Sequence, residues 1–174
     1  GVYDTFADGD TRSNASVQMF NRVDVWVQTI QKESTAYAKE KKAHDIICEY
    51  VEYEEGTYDQ TAYSAVMQKK TVCAGYAKLY SMLTNAAGLE TVSVTSATHG
   101  WNRTKLGNQW YNVDLTWDDG TPISYQFFNK SDATMEKYDG SSRESHTQNH
   151  YYDGVAPGCE SDYGASVTVV DAEQ

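Results

Sequence analysis

Cys73, His99 and Asp114 follow one another along the chain, and a thiol, an imidazole and a carboxylate are the groups that thiol-mediated acyl transfer needs. The imidazole takes the thiol proton and holds the thiolate as an ion pair. The carboxylate orients the ring and stabilises its charged form. Cys73 stands in Thr71-Val72-Cys73-Ala74-Gly75-Tyr76-Ala77-Lys78-Leu79-Tyr80, where a loop gives way to an amphipathic pattern. A helix beginning there aims unpaired backbone N–H groups and the positive dipole end at the sulfur, which favours the thiolate. The N–H of Cys73 is also a natural donor to a tetrahedral oxyanion, with Gln68 as a weak candidate for the second.

The elements that must bring the three together can be read from spacing. Trp101 to Leu106 and Gln109 to Trp117 form two β-rich runs joined at Gly107-Asn108, the signature of a two-residue hairpin. Leu106 then pairs with Gln109, and each further pair keeps the same sum of residue numbers, so His99 opposes Thr116. Side chains two apart on a strand share a face, which puts His99 and Asp114 on the same side. That side also carries Trp101, Arg103, Trp110 and Asn112, a mixture that suits a site better than a core. Leu106, Tyr111, Val113, Leu115 and Trp117 make the opposite, buried side. A three-residue loop would shift the register and destroy the alignment.

Around this hairpin the pattern predicts helices first and an antiparallel sheet afterwards, an α+β fold with the Cys73 helix packed on the sheet. Val23, Trp26, Val27 and Ile30 recur at the spacing of one helix face, and a second helix runs from about Thr35 to Tyr53 with Ala43, Ile46, Ile47, Cys48, Tyr50 and Val51 as its apolar stripe. Thr61 to Gln68 reads as a short helix, and the Cys73 helix stops at Gly88. Thr91 to Thr95 is a strand, and Tyr125 to Asn129 another. Residues 1–15 read as a mobile lead-in, residues 139–174 as loop-rich, and Val167 to Val170 as a last strand or a tether. The expected organisation is one domain over residues 1–174.

A formal charge of -11, from 14 basic against 25 acidic residues, argues against nucleic acid as a partner. No stretch approaches the roughly 20 apolar residues of a membrane span, so insertion is not expected. The first residues lack the charged start and apolar run of a signal peptide. Richness in Tyr, Ser, Thr, Asp and Gly suits an extracellular or cell-surface location.

Three cysteines leave at least one thiol unpaired. Cys48 reads as core, and a Cys48–Cys159 disulfide is an open alternative. His44 reads as structural. His146 and His150, four apart, could share a metal with Cys159 if their segment were helical, but its Ser, Thr, Gln and Asn content favours a loop. No metal and no cofactor are therefore expected. Asp118-Asp119 reads equally well as an acidic lip for cationic groups or as a turn after a strand.

Val72-Cys73-Ala74-Gly75-Tyr76-Ala77, His99-Gly100-Trp101-Asn102 and Trp110-Tyr111-Asn112-Val113-Asp114-Leu115-Thr116-Trp117-Asp118-Asp119 occur in the order and spacing of three motifs. In these the chain resembles the transglutaminase-like superfamily, the papain-related group of transglutaminases, bacterial transglutaminase-like cysteine peptidases and peptide N-glycanases. The resemblance runs from His44 to Asp119. His44-Asp45 and the run Tyr125 to Asp132 look like the flanks of the bacterial extracellular members. It implies a papain-like core, with Cys73 as nucleophile, His99 as general base and Asp114 as orienting acid. Gly100 stands where many relatives carry alanine or another small residue. The implied reaction is attack on an amide of a protein or peptide, such as a cell-wall or surface polypeptide, ending in hydrolysis or in transfer to an amine. A different class of function, a surface or adhesion module with an idle triad, would use the same fold for protein or glycan binding.

Overall fold

A computed structural model of the chain describes residues 9–142, 145–148 and 156–164. The run Val167 to Val170 and His150 lie outside the described residues. Helix α1 (Gly9–Gln31) buries Val23 and Ile30 and packs Trp26 and Val27 beside them, as their spacing requires. It starts at Gly9, so residues 9–15 of the expected lead-in are helical, and residues 1–8 lie outside the described residues. Its first turns are almost wholly exposed. Such a segment has no apolar face to leave a periodic signal.

Helix α2 (Ala36–Tyr50) begins under a Thr35 cap whose hydroxyl accepts from the Ala38 N–H. It ends short of the expected Tyr53, because Val51 turns extended and Glu52–Tyr53 become strand β1, paired in parallel with β2 (Lys70–Thr71). Between them lies a π-helical segment, Ser64–Gln68, closed by Lys69 in the left-handed region at φ 60°. Helix α3 (Cys73–Ala86) then starts at the cysteine and stops before Gly88, which takes φ 95°.

A four-stranded antiparallel sheet follows, in the order β3 (Thr91–Thr95), β4 (Gly100–Leu106), β5 (Gln109–Val113) and β6 (Phe128–Lys130). Leu106 pairs with Gln109 and Asn102 with Val113, the register that a two-residue turn at Gly107-Asn108 dictates. The strand expected to reach Trp117 ends at Val113. Asp114 caps a single-turn helix, α4 (Leu115–Asp118), by accepting the Trp117 N–H on its own side chain. A short polar side chain that satisfies a helix N-terminus competes with continuing the strand. His99 therefore has no ladder partner at Thr116, and Trp117 swings to the His99 side, where its ring meets His99 and Phe127.

Two cores result. Helix α3 is buried between α1 and α2 on one side and the sheet on the other, with Tyr76, Leu79, Tyr80, Leu83, Val113 and Leu115 sealed. The second core lies on the other face of the sheet and joins Val94, Trp101, Phe127 and Met135, the last from α5 (Asp132–Tyr138). This corrects the reading of the Trp101, Arg103 and Asn112 face as an open site. All three are buried. Arg103 donates to Asn112 Oδ1 at 3.0 Å, to Asp132 at 3.1 Å and to the Pro157 carbonyl at 2.6 Å, so the later segments are tied down over most of that face. Of the residues that read as loop, Gln148 and Pro157 sit directly on Arg103. No helix among the described residues is long and apolar enough to cross a membrane.

Candidate active site

Cys73 is the first residue of α3, with Val72 as its extended cap, so its N–H is among those that a helix leaves without an intrahelical partner. Two close approaches fix this start. A side-chain carbon at Gly75 would lie 1.7 Å from Thr71 Oγ1 and 2.9 Å from the Thr61 carbonyl oxygen. Thr71 cannot easily withdraw, because its hydroxyl donates to the Asp59 carbonyl at 2.8 Å and accepts from Ser64 at 2.9 Å. Glycine at 75 therefore lets the preceding loop seat against the first turn of the cysteine helix.

His99 stands at the end of a tight turn. Ser96 Oγ accepts the backbone N–H groups of Thr98 and His99, and the Ser96 N–H donates to the His99 carbonyl. The ring lies against Trp101 and Trp117, with centroids 6.0 and 5.6 Å away. Its Nε2 is 2.6 Å from Asp114 Oδ2. A carboxylate only accepts, so Nε2 carries the proton and Nδ1 is left to face the sulfur. The Cys73 side chain hydrogen-bonds to His99, with further contact from the Gly100 and Ala74 N–H groups. Cys73, His99 and Asp114 are thus brought together. Cys73 and His99 line a cleft of about 300 Å³ whose walls include Ala77, Lys78, Ser93 and Thr98.

The electrostatics match the geometry. The His99 hydrogen bond, opposed by partial burial, holds the Cys73 thiol below its ordinary range. Burial disfavours a charged His99, but its bonds to Asp114 and Cys73 outweigh that and lift it to about 10. Burial likewise disfavours an ionised Asp114, yet bonds from His146 and His99 hold its carboxyl below the usual range. Both shifts act in the same sense, favouring a thiolate beside an imidazolium more than the two groups would in isolation.

His146 is the residue that sequence reasoning missed. It is buried, and its Nε2 lies 2.7 Å from Asp114 Oδ2, the oxygen that also receives His99. Its segment is a turn and not a helix, so periodicity carries no signal, and only the residue type marked it. His99, Asp114 and His146 place potential ligand atoms within 4.8 Å of one another. Donors around one zinc ion sit about 2.0–2.2 Å from the metal, hence about 3 Å or more apart in a tetrahedral shell. Direct contacts of 2.6 and 2.7 Å are hydrogen-bond lengths instead.

Other expectations sort themselves by position. Gln68 is exposed at the end of the π-helical segment and is not among the cleft residues, whereas Gln60 is. His44 is fully buried between Asp45 and Asp118, at 3.0 and 2.9 Å, in a structural role. Asp118 is therefore no acidic lip, and Asp119 bonds to the Tyr76 hydroxyl at 2.5 Å. Cys48 and Cys159 are buried free thiols, so the disulfide alternative is not realised.

The family model for the transglutaminase-like superfamily matches residues 24–115. Among solved structures, the chain is similar to a crystal structure of a TGase, with a TM-score of 0.52 and 14% identity over 66% of this chain and 35% of that one. It also aligns with a candidate cysteine protease from Cytophaga hutchinsonii, with a TM-score of 0.48 and 20% identity over 66% of this chain and 45% of that one. The chain thus covers less than half the length of either. A comparison with curated proteins gives no significant match.

Proposed function

The chain belongs to the transglutaminase-like superfamily, and on that premise we propose that Cys73, His99 and Asp114 form a thiol-dependent acyl-transfer centre acting on amide bonds of a protein or peptide. The observation that carries the reading is the placement of His99, bonded to Asp114 at 2.6 Å on one nitrogen and to the Cys73 side chain, beside a cleft.

In this reaction the Cys73 sulfur attacks the amide carbon, and the carbonyl electrons move to oxygen. The Cys73 N–H stabilises that oxyanion, with Gln60 in the cleft as candidate second donor. Collapse breaks the C–N bond while imidazolium His99 gives its proton to the leaving nitrogen. A thioester remains. His99, now neutral, takes a proton from water or from a primary amine, and attack on the thioester returns the thiol and releases acid or a new amide. Water is the default acceptor. The richness in Tyr, Ser, Thr, Asp and Gly fits a substrate at or outside the cell surface, such as a cell-wall or surface polypeptide.

The test is incubation with glutamine-containing peptides and a labelled primary amine, following cleavage, ammonia and amine incorporation together. Turnover by the wild type and none by Cys73→Ala is expected. Products that persist in Cys73→Ala would contradict the reading, and the ratio of incorporation to hydrolysis identifies the acceptor.

A further inference from the structure

Nothing in the acyl-transfer steps requires His146, yet the fold spends unusual effort on it. Asp139, the residue that ends α5, grips it twice: one carboxylate oxygen accepts the His146 backbone N–H at 2.8 Å and the other contacts ring Nδ1. Trp117, Trp101 and Phe127 pack around the ring with centroids 4.6, 5.0 and 5.5 Å away. The titratable groups facing it are Asp114, Asp139 and, at right angles with a centroid distance of 5.3 Å, His99. The imidazole therefore has a fixed rotamer, and its Nε2 points at one atom, Asp114 Oδ2.

Asp114 needs such a partner. It is 1% exposed, and its Oδ1 is committed to the Trp117 N–H at 3.2 Å as the cap of α4. Among the described residues its Oδ2 meets the two imidazoles alone, at 2.6 and 2.7 Å. Three N–H donors define the plane and rotation of the carboxylate. With His146 removed, Oδ2 would keep a single donor that itself turns about its side-chain bonds. A buried carboxylate short of donors also takes up a proton more readily, and a protonated Asp114 is a poor orienter of His99.

We infer that His146, held by Asp139, is a positioning residue of the candidate active site: it locks Asp114 from behind so that His99 is aimed at Cys73. The inference rests on the acyl-transfer reading and extends the line of contacts to Asp139–His146–Asp114–His99–Cys73.

The rate of Cys73 alkylation by iodoacetamide at pH 7, read peptide by peptide on the full chain, tests it. Gln and Leu have similar bulk, but only Gln places an N–H near the position of Nε2. His146→Leu is expected to react about 10- to 100-fold more slowly than wild type, since small misplacement of a catalytic group costs on that order. His146→Gln should recover most of the rate, to within about threefold, and Asp139→Asn should fall between the two. Near-UV circular dichroism confirms that each variant is folded. Equal rates in His146→Leu and His146→Gln, or a His146→Leu rate like that of wild type, would overturn the inference and leave the acyl-transfer reading standing. If His146→Leu does not fold, Asp139→Asn decides: a loss supports the inference and a wild-type rate overturns it. A wild-type thiol that reacts slowly and ignores His99→Ala would instead remove the acyl-transfer reading, and this inference with it.

Discussion

Cys48, His44 and Asp118 are the same three residue types as Cys73, His99 and Asp114, and the fold gathers both sets. In the first, both ring nitrogens of His44 are occupied by carboxylates, Asp45 and Asp118, so neither is left for sulfur. The Cys48 thiol is buried with its sulfur 3.9 Å from the Leu115 carbonyl, and burial among Asp119, Asp118, Asp45 and Asp114 pushes it up. In the second, one nitrogen of His99 takes Asp114 while the sulfur sits at a helix N-terminus beside a cleft, and the thiol is held down. Residue identity is shared; the number of acids around the ring and the exposure of the sulfur are not. The buried set bolts α2 to α4, whereas the other opens onto a cleft.

Three changes sharpen that contrast, taken from the largest effect to the smallest. His44→Ala leaves Asp118 buried without its partner, and loss of one half of a buried ion pair costs about 3–5 kcal/mol. Chemical denaturation should show that loss, while the alkylation rate of Cys73 in the molecules that remain folded stays as in wild type. A strong effect on that rate would merge the two sets. Gly75→Ala forces a carbon into Thr71 and the Thr61 carbonyl, so stability should fall by about 1–3 kcal/mol and Cys73 alkylation should slow as the start of α3 shifts. Unchanged values on both counts would mean that the loop yields easily and that glycine is not what seats it.

Glu40 supplies the smallest test, away from both sets. Its carboxyl is 0% exposed and faces Asn129, but neither oxygen reaches good hydrogen-bond geometry, and burial pushes it well above the usual carboxylate range. The folded state therefore keeps the proton that the unfolded chain releases above pH of about 4. Stability is lost as pH rises from there toward the folded value, by at most about 1.4 kcal/mol per pH unit. Glu40→Gln removes this dependence. The two proteins should melt alike near pH 4 and diverge above it, with the variant higher. Parallel melting curves from pH 4 to 7 would place the Glu40 carboxylate in a better-satisfied site.

Much of this arrangement was legible from spacing. The pairing of Leu106 with Gln109 followed from a two-residue turn, and the helix start at Cys73 from the change of pattern after Val72. What escaped was set by contacts distant in the chain. Asp114 ends a strand by capping α4, which moves Trp117 to the other side of the sheet, and no alternation of apolar residues announces that. Arg103 and Asn112 looked like site residues because they are polar on the His99 face. They are buried beneath Asp132 and Pro157, whose arrival depends on tertiary packing. His146 lies in a polar turn and acquires meaning only through Asp114, 32 residues earlier.

The central claim is that surroundings make Cys73 a nucleophile and leave Cys48 inert. The direct measurement is the rate of iodoacetamide labelling of each cysteine across pH, in wild type and in His99→Ala. Cys73 should label rapidly at neutral pH with an inflection below the ordinary thiol value of 9.0, and His99→Ala should slow it and return the inflection to the ordinary range, while Cys48 stays unlabelled in the folded protein. A Cys73 that labels no faster than a simple thiol, with the same pH dependence after His99→Ala, would contradict the account.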